Sequence, residues 1–165
     1  MFGKVAISLR TFSTVEGLPV ISLSSARECG HVLDLLYENG YVTGFLIDPK
    51  GWFQKHLFLP VSNVSSIGND GVMIKNIYAL KPYSSKEKEA FPLKNGKRRL
   101  QGIALLTAEG EKLGLLEDVY FLEEVGTIVG YEVTEGLVAD LVEGRRVVKS
   151  NSKLTIASGR AILTD

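Results

Sequence analysis

Cysteine is almost absent from this sequence. Cys29 is the single one in 165 residues, so no disulfide can form within the chain. Stability must then come from a packed interior rather than from covalent staples. This usage fits a reducing compartment, and the expected location is the cytoplasm. Histidine is nearly as scarce, with His31 and His56 alone. Cys29-x-His31 without a second thiolate is a poor zinc pattern. The same pair as a nucleophile and its base lacks an orienting group and oxyanion donors. There is no G-x-G-x-x-G, Walker loop or H-E-x-x-H. No catalytic residue, metal or cofactor is expected. The 19 basic and 19 acidic residues cancel, which argues against a protein that binds nucleic acid through its whole-surface charge. No run approaches the ~18 consecutive apolar residues of a transmembrane helix. The opening MFGKVAISLRTF carries no apolar signal-peptide core.

What is present is a core-forming composition, 45% hydrophobic and 23% charged, punctuated by 17 glycines. Short apolar runs alternate with turn signals. Residues 15–23 (VEGLPVISL) read as a strand. So do 31–38 (HVLDLLYE) and 41–48 (YVTGFLID), joined by Asn39-Gly40, a type I′ hairpin signature because both residues tolerate positive φ. Gly44 is expected at a bulge, since Val42, Phe45 and Ile47 cannot share one face by simple counting. Strands follow at 52–61 and 72–77, with a tight turn at Asn69-Asp70-Gly71. In the second half, 102–107, 115–124 and 127–134 read as strands and 136–144 as a short helix, with short strands to the end. Many short strands with turns every 8–12 residues indicate a barrel or sandwich.

The two halves repeat. Gly30-His31-Val32-Leu33-Asp34-Leu35 lies over Gly114-Leu115-Leu116-Glu117-Asp118-Val119 at an offset of 84. Gly40 to Phe45 lies over Gly126 to Tyr131 at 86, with Gly44 on Gly130, and Gly71 lies over Gly159 at 88. The order is preserved while the offset drifts, as small loop insertions would produce. Asp34 and Asp118 occupy matching places, which fits capping of backbone N–H groups better than one asymmetric active site.

This pattern resembles the PRC-barrel family, named for the cytoplasmic domain of the photosynthetic reaction-centre H subunit and including the C-terminal domain of RimM. The first copy carries Gly30 to Leu35, Gly40 to Gly44, Pro60-Val61 and Asp70-Gly71-Val72. The second keeps Leu113-Gly114, Asp118-Val119 and Gly126 to Gly130, but has Arg145-Arg146-Val147-Val148 where a proline-led strand is usual and Ser158-Gly159 where Asp-Gly is usual. The resemblance implies an all-β chain of two small PRC-type barrels in tandem, at 1–77 and 102–165, with a connector at 78–101. It implies no shared catalytic residues.

Charge is segregated along the chain. Residues 1–77 have six basic and six acidic residues, 78–101 are net +5 (seven minus two), and 102–165 are net −5 (six minus eleven). The connector is therefore expected to dock on the second barrel, with a short helix capped by Ser84 and Glu87. Candidate partner-binding residues are the aromatic cluster Trp52, Phe53 and His56 and the basic run Lys94, Lys97, Arg98 and Arg99. The function expected is a protein-binding or scaffold module, acting on another protein or by self-association. A ribonucleoprotein-associated factor is the second reading, and a small-ligand binder the third.

Overall fold

The computed structural model describes residues 8–51, 55–84, 87–135, 146–150 and 152–164. The helix expected at 136–144 lies outside them. Among these described residues there are fifteen strands. They are β1 (Leu9–Thr11), β2 (Pro19–Ser22), β3 (Glu28–Glu38), β4 (Tyr41–Pro49), β5 (Leu57–Pro60), β6 (Val64–Ile67), β7 (Val72–Ile74), β8 (Lys81–Pro82), β9 (Phe91–Pro92), β10 (Ala104–Leu106), β11 (Lys112–Leu122), β12 (Ile128–Thr134), β13 (Arg146–Lys149), β14 (Leu154–Ala157) and β15 (Arg160–Leu163). Among the described residues the only helical elements are short 3₁₀ turns.

Two curled sheets share one strand order. The first runs β6-β7-β2-β3-β4-β5-β8 and the second β14-β15-β10-β11-β12-β13. In each, one parallel pair, β2 with β7 or β10 with β15, sits among antiparallel neighbours. The chain is all-β, two small barrel-like sheets in tandem. Most irregularities repeat too, although the shift between Val64 and Ser66 on β6 has no counterpart in the regular β14–β15 pair. Each sheet carries three matching extra residues: Cys29 and Leu113, Leu33 and Glu117, Thr43 and Val129. A bulge bends its strand and increases the local twist, so matching bulges give matching curvature. The third falls at Thr43, next to Gly44. A Cβ on Gly44 would lie 2.2 Å from the Leu59 carbonyl oxygen, so the bend brings β5 against a backbone that only glycine permits. Asn39 (φ 51°) and Gly40 (φ 86°) form the left-handed pair of the first hairpin turn.

A local pseudo-twofold relates the sheets. Tyr41 bridges to Thr127, its own counterpart. On either side Val42 N–H donates to the Gly126 carbonyl (2.7 Å) and Ile128 N–H to the Gly40 carbonyl (3.1 Å). The aromatic contacts obey the same relation: Phe45 meets Phe121 at 6.1 Å between ring centres, and Tyr37 meets Tyr131. A continuous apolar core therefore runs from Val20 and Val72 of the first sheet to Leu105 and Ala161 of the second.

The segment that leads into each half pairs with the opposite half. The long strand β3 carries β2 along its start and β9 along its end, while β11 carries β10 and then β1. The connector thus adds its strands to the first sheet, β8 on β5 and β9 on β3, and meets the acidic second one at its far end, where the Gln101 side chain donates to Glu117. Burial explains the correction. Leu93, whose N–H donates to the Leu35 carbonyl of β3, is wholly buried, and full burial of such a side chain is worth about 1.5–3 kcal/mol, against ~0–1 for an exposed ion pair. The Ser84–Glu87 contact exists, with Ser84 N–H donating to the Glu87 carboxylate at 3.1 Å, but it closes a 3₁₀ turn (Glu87–Glu89) rather than an α-helix. The strand expected over 15–23 begins only at Pro19, because Phe12–Thr14 form a 3₁₀ turn just upstream and Leu18 N–H still donates to the Val15 carbonyl.

A candidate partner-binding groove beside the connector

The two aspartates of the repeat are buried and fully engaged. Asp34 Oδ1 accepts from Leu35 N–H (2.8 Å) and Lys94 N–H (3.0 Å), and Oδ2 from the backbone and side-chain N–H groups of Asn95, both 2.9 Å. Asp118 Oδ1 accepts from Val119 N–H (2.7 Å) and Phe12 N–H (2.9 Å), and Oδ2 from Ser13 N–H (3.0 Å). Each carboxylate sits just past a bulge and gathers donors from the segment belonging to the other half. This is oriented backbone capping, and it leaves no carboxylate oxygen directed at solvent or substrate.

The basic run is held by the connector's own folding. Arg98 stacks its guanidinium 4.3 Å from the Phe91 ring centre and donates to the carbonyls of Lys88 and Glu89, both at 2.9 Å. Lys88 Nζ lies 5.6 Å from the centre of the Tyr83 ring. Lys94 pairs with Glu16 at 3.1 Å, so it tethers the connector to the first sheet. Arg99 reaches the Gly96 carbonyl at 3.3 Å, and Lys97 is exposed.

Lys88, Lys97 and Arg98 flank a shallow groove of about 490 Å³. Its floor is apolar, from Leu33, Leu46, Ala90 and Pro92, and its rim carries His56, Lys88, Lys97 and Arg98. Lys97 and Arg98 form a ridge, and beyond it lies a second depression of about 260 Å³ lined by Phe91, Ile103 and Ile156 with Arg99 at its edge. Of the residues expected from sequence, His56, Lys97 and Arg98 come together here and Arg99 lies across the ridge. Lys94 belongs to the tether instead. Trp52 and Phe53 lie outside the described residues. Leu33, Leu46, Tyr83, Lys88 and Pro92 were not singled out as surface residues. The groove joins strands remote in sequence, and only the docking of 83–98 on the first sheet brings them together.

The other reactive groups are dispersed. His31 faces Asp48 at 3.5 Å on an exposed face of the first sheet. Cys29 is half-buried, packs against the core and holds a bulge; burial pushes its thiol above the usual range, which lowers its thiolate fraction. Among the described residues, no group of three or more His, Cys, Asp or Glu side chains could hold a metal ion, and no helix is long and apolar enough to cross a membrane.

Two barrel-like sheets with repeated bulges, joined by capping aspartates, define an all-β module of the small-barrel class. The chain matches the PRC-barrel domain over residues 9–81. It is also similar to the uncharacterized protein YrrD of Bacillus subtilis strain 168, at 30% identity over 149 residues, which span 89% of this chain and 82% of that protein. The chain belongs to the PRC-barrel family.

Proposed function

We propose that this chain is a non-catalytic, cytoplasmic protein-binding module that presents the connector and its flanking strands as a recognition surface. The observation that carries the reading is the placement of Lys88, Lys97 and Arg98 around an apolar floor on the outside of the molecule. The buried polar groups support the fold: Asp34 and Asp118 are consumed by backbone donors, and no buried side-chain N or O among the described residues lacks a partner. Half-buried Leu33, Tyr83 and Pro92 beside Arg98 give this face the tyrosine and arginine content that interfaces favour.

The connector's net charge of +5 favours a ribonucleoprotein-associated factor as the second reading. Cross-linking in the native host, with and without nuclease, separates the two. A protein cross-linked to residues 88–99 that survives nuclease supports the module reading. Loss of every partner on nuclease treatment, with enrichment of RNA, replaces it by the second.

A further inference from the structure

Resting on that reading, we infer that the groove and the depression beyond the Lys97–Arg98 ridge form one bipartite site for an acidic peptide segment with apolar anchors on either side of its carboxylates. The geometry sets the order of the ligand's groups. A segment crossing the ridge places one apolar side chain over Leu33, Tyr83 and Pro92, its carboxylates against Lys88, Lys97 and Arg98, and a second apolar side chain against Ile103 and Ile156. Lys97 and Arg98 line both depressions, so they are the common centre of the two.

Charge complementarity selects the occupant. The nearby acids are already engaged or few: Asp34 is capped beneath the floor, the Glu87 carboxylate bonds Ser84, and Glu89 is the other acid of the connector. Arg98 is preorganised by its two carbonyl contacts and by Phe91, so little rotamer freedom is lost when a carboxylate arrives. The same stacking disfavours RNA. Single-stranded nucleic acid is read by bases lying on open aromatic faces, and here a cation already sits over the ring of Tyr83 and another over that of Phe91. Exposed ion pairs contribute little individually, so the apolar anchors must supply the rest of the binding.

A random 12-residue peptide library displayed on phage, selected against the intact chain, tests this. Enriched peptides should carry Asp or Glu flanked on both sides by Leu, Ile, Val, Phe or Met. Synthetic versions should lose at least ten-fold in affinity on the double variant Lys88→Glu/Lys97→Glu and keep it on Lys153→Glu, which lies on the cleft beside Tyr41. Unchanged urea midpoints establish that the variants fold, since Lys88, Lys97 and Lys153 are exposed. Enriched peptides without an acidic excess, equal binding to the double variant, or displacement by an equimolar 12-nucleotide RNA would overturn the assignment. If no peptide is enriched while a nuclease-resistant protein is still captured at 88–99, the bipartite site fails and the module reading stands. If neither is found, both fail.

Discussion

Asp34 holds the segment that leads into the second sheet, and Asp118 holds the segment that leads into the first. Donors from Lys94 and Asn95 meet the one, and donors from Phe12 and Ser13 meet the other. Matching aspartates thus form reciprocal clasps across the pseudo-twofold, and each half is completed by chain that belongs to its neighbour.

Removing either clasp should be costly. Asp34→Ala leaves four donors without their acceptor, and Asp118→Ala three. Hydrogen bonds to charged groups are worth about 1.5–3 kcal/mol each, and buried donors left unpaired carry a desolvation cost. Because water will reach some of them, we expect a loss of about 3–5 kcal/mol for each variant in urea unfolding. Losses under 1 kcal/mol would show that the carboxylates do not hold the segments.

Gly40 and Gly126 are counterparts with similar positive φ, 86° and 74°, but different surroundings. A Cβ on Gly126 would lie 2.4 Å from the Val42 carbonyl oxygen in the other sheet, whereas one on Gly40 meets nothing closer than Lys153 at 3.7 Å. Gly40→Ala should therefore cost about 1 kcal/mol of backbone strain. Gly126→Ala should cost about 3 kcal/mol or more, because it also forces the paired hairpins apart. Equal thermal shifts for the two variants would refute the close approach.

Tyr131 is wholly buried beside Tyr37, and burial, reinforced by that neighbour, pushes its hydroxyl far above the ordinary tyrosine range. The folded state therefore keeps a proton that the unfolded chain releases near pH ~10. Stability from this group is complete below about pH 10 and falls above it by about 1.4 kcal/mol per pH unit. Tyr131→Phe should flatten the alkaline fall by about that slope, read from urea midpoints between pH 9 and 11. A variant with the parent's alkaline profile would exclude Tyr131 as the cause.

Cys29 fills a bulge where the second sheet has Leu113, so an apolar side chain is acceptable at that point. Cys29→Val should change stability by no more than about 1 kcal/mol. Labelling of the native thiol should be slow at pH 8 and accelerate with pH, following the raised thiol. Fast labelling at pH 7 would contradict its half-buried position.

The repeat was legible because glycines and aspartates recur in order at offsets of 84 to 88, and the bulges fall beside those glycines or aspartates. The exchange of leading segments was not. β1 is three residues long, and nothing in Leu9-Arg10-Thr11 states which long strand it will join. Charge suggested that the connector would meet the acidic half, but charge acts weakly at a solvated surface. The apolar residue Leu93, bonded to Leu35, with Phe91 opposite Tyr37, decided the docking. Lys97, Arg98 and His56 were visible as surface candidates. Their apolar floor was hidden because it is assembled from β3, β4 and the connector.

The crossing of β1 onto β11 also fixes a timetable for synthesis. Leu9 pairs with Leu122, 113 residues later (122 − 9), so β1 leaves the ribosome long before the strand it pairs with. At ~5–20 residues per second that delay is roughly 6–23 s. For that interval the nascent chain carries a strand with open hydrogen-bonding edges. Arg10, at its centre, is a charged residue of the kind that discourages pairing with the wrong chain. In the finished protein the same side chain bonds Glu123 at 2.9 Å, so one arginine serves first as guard and then as anchor.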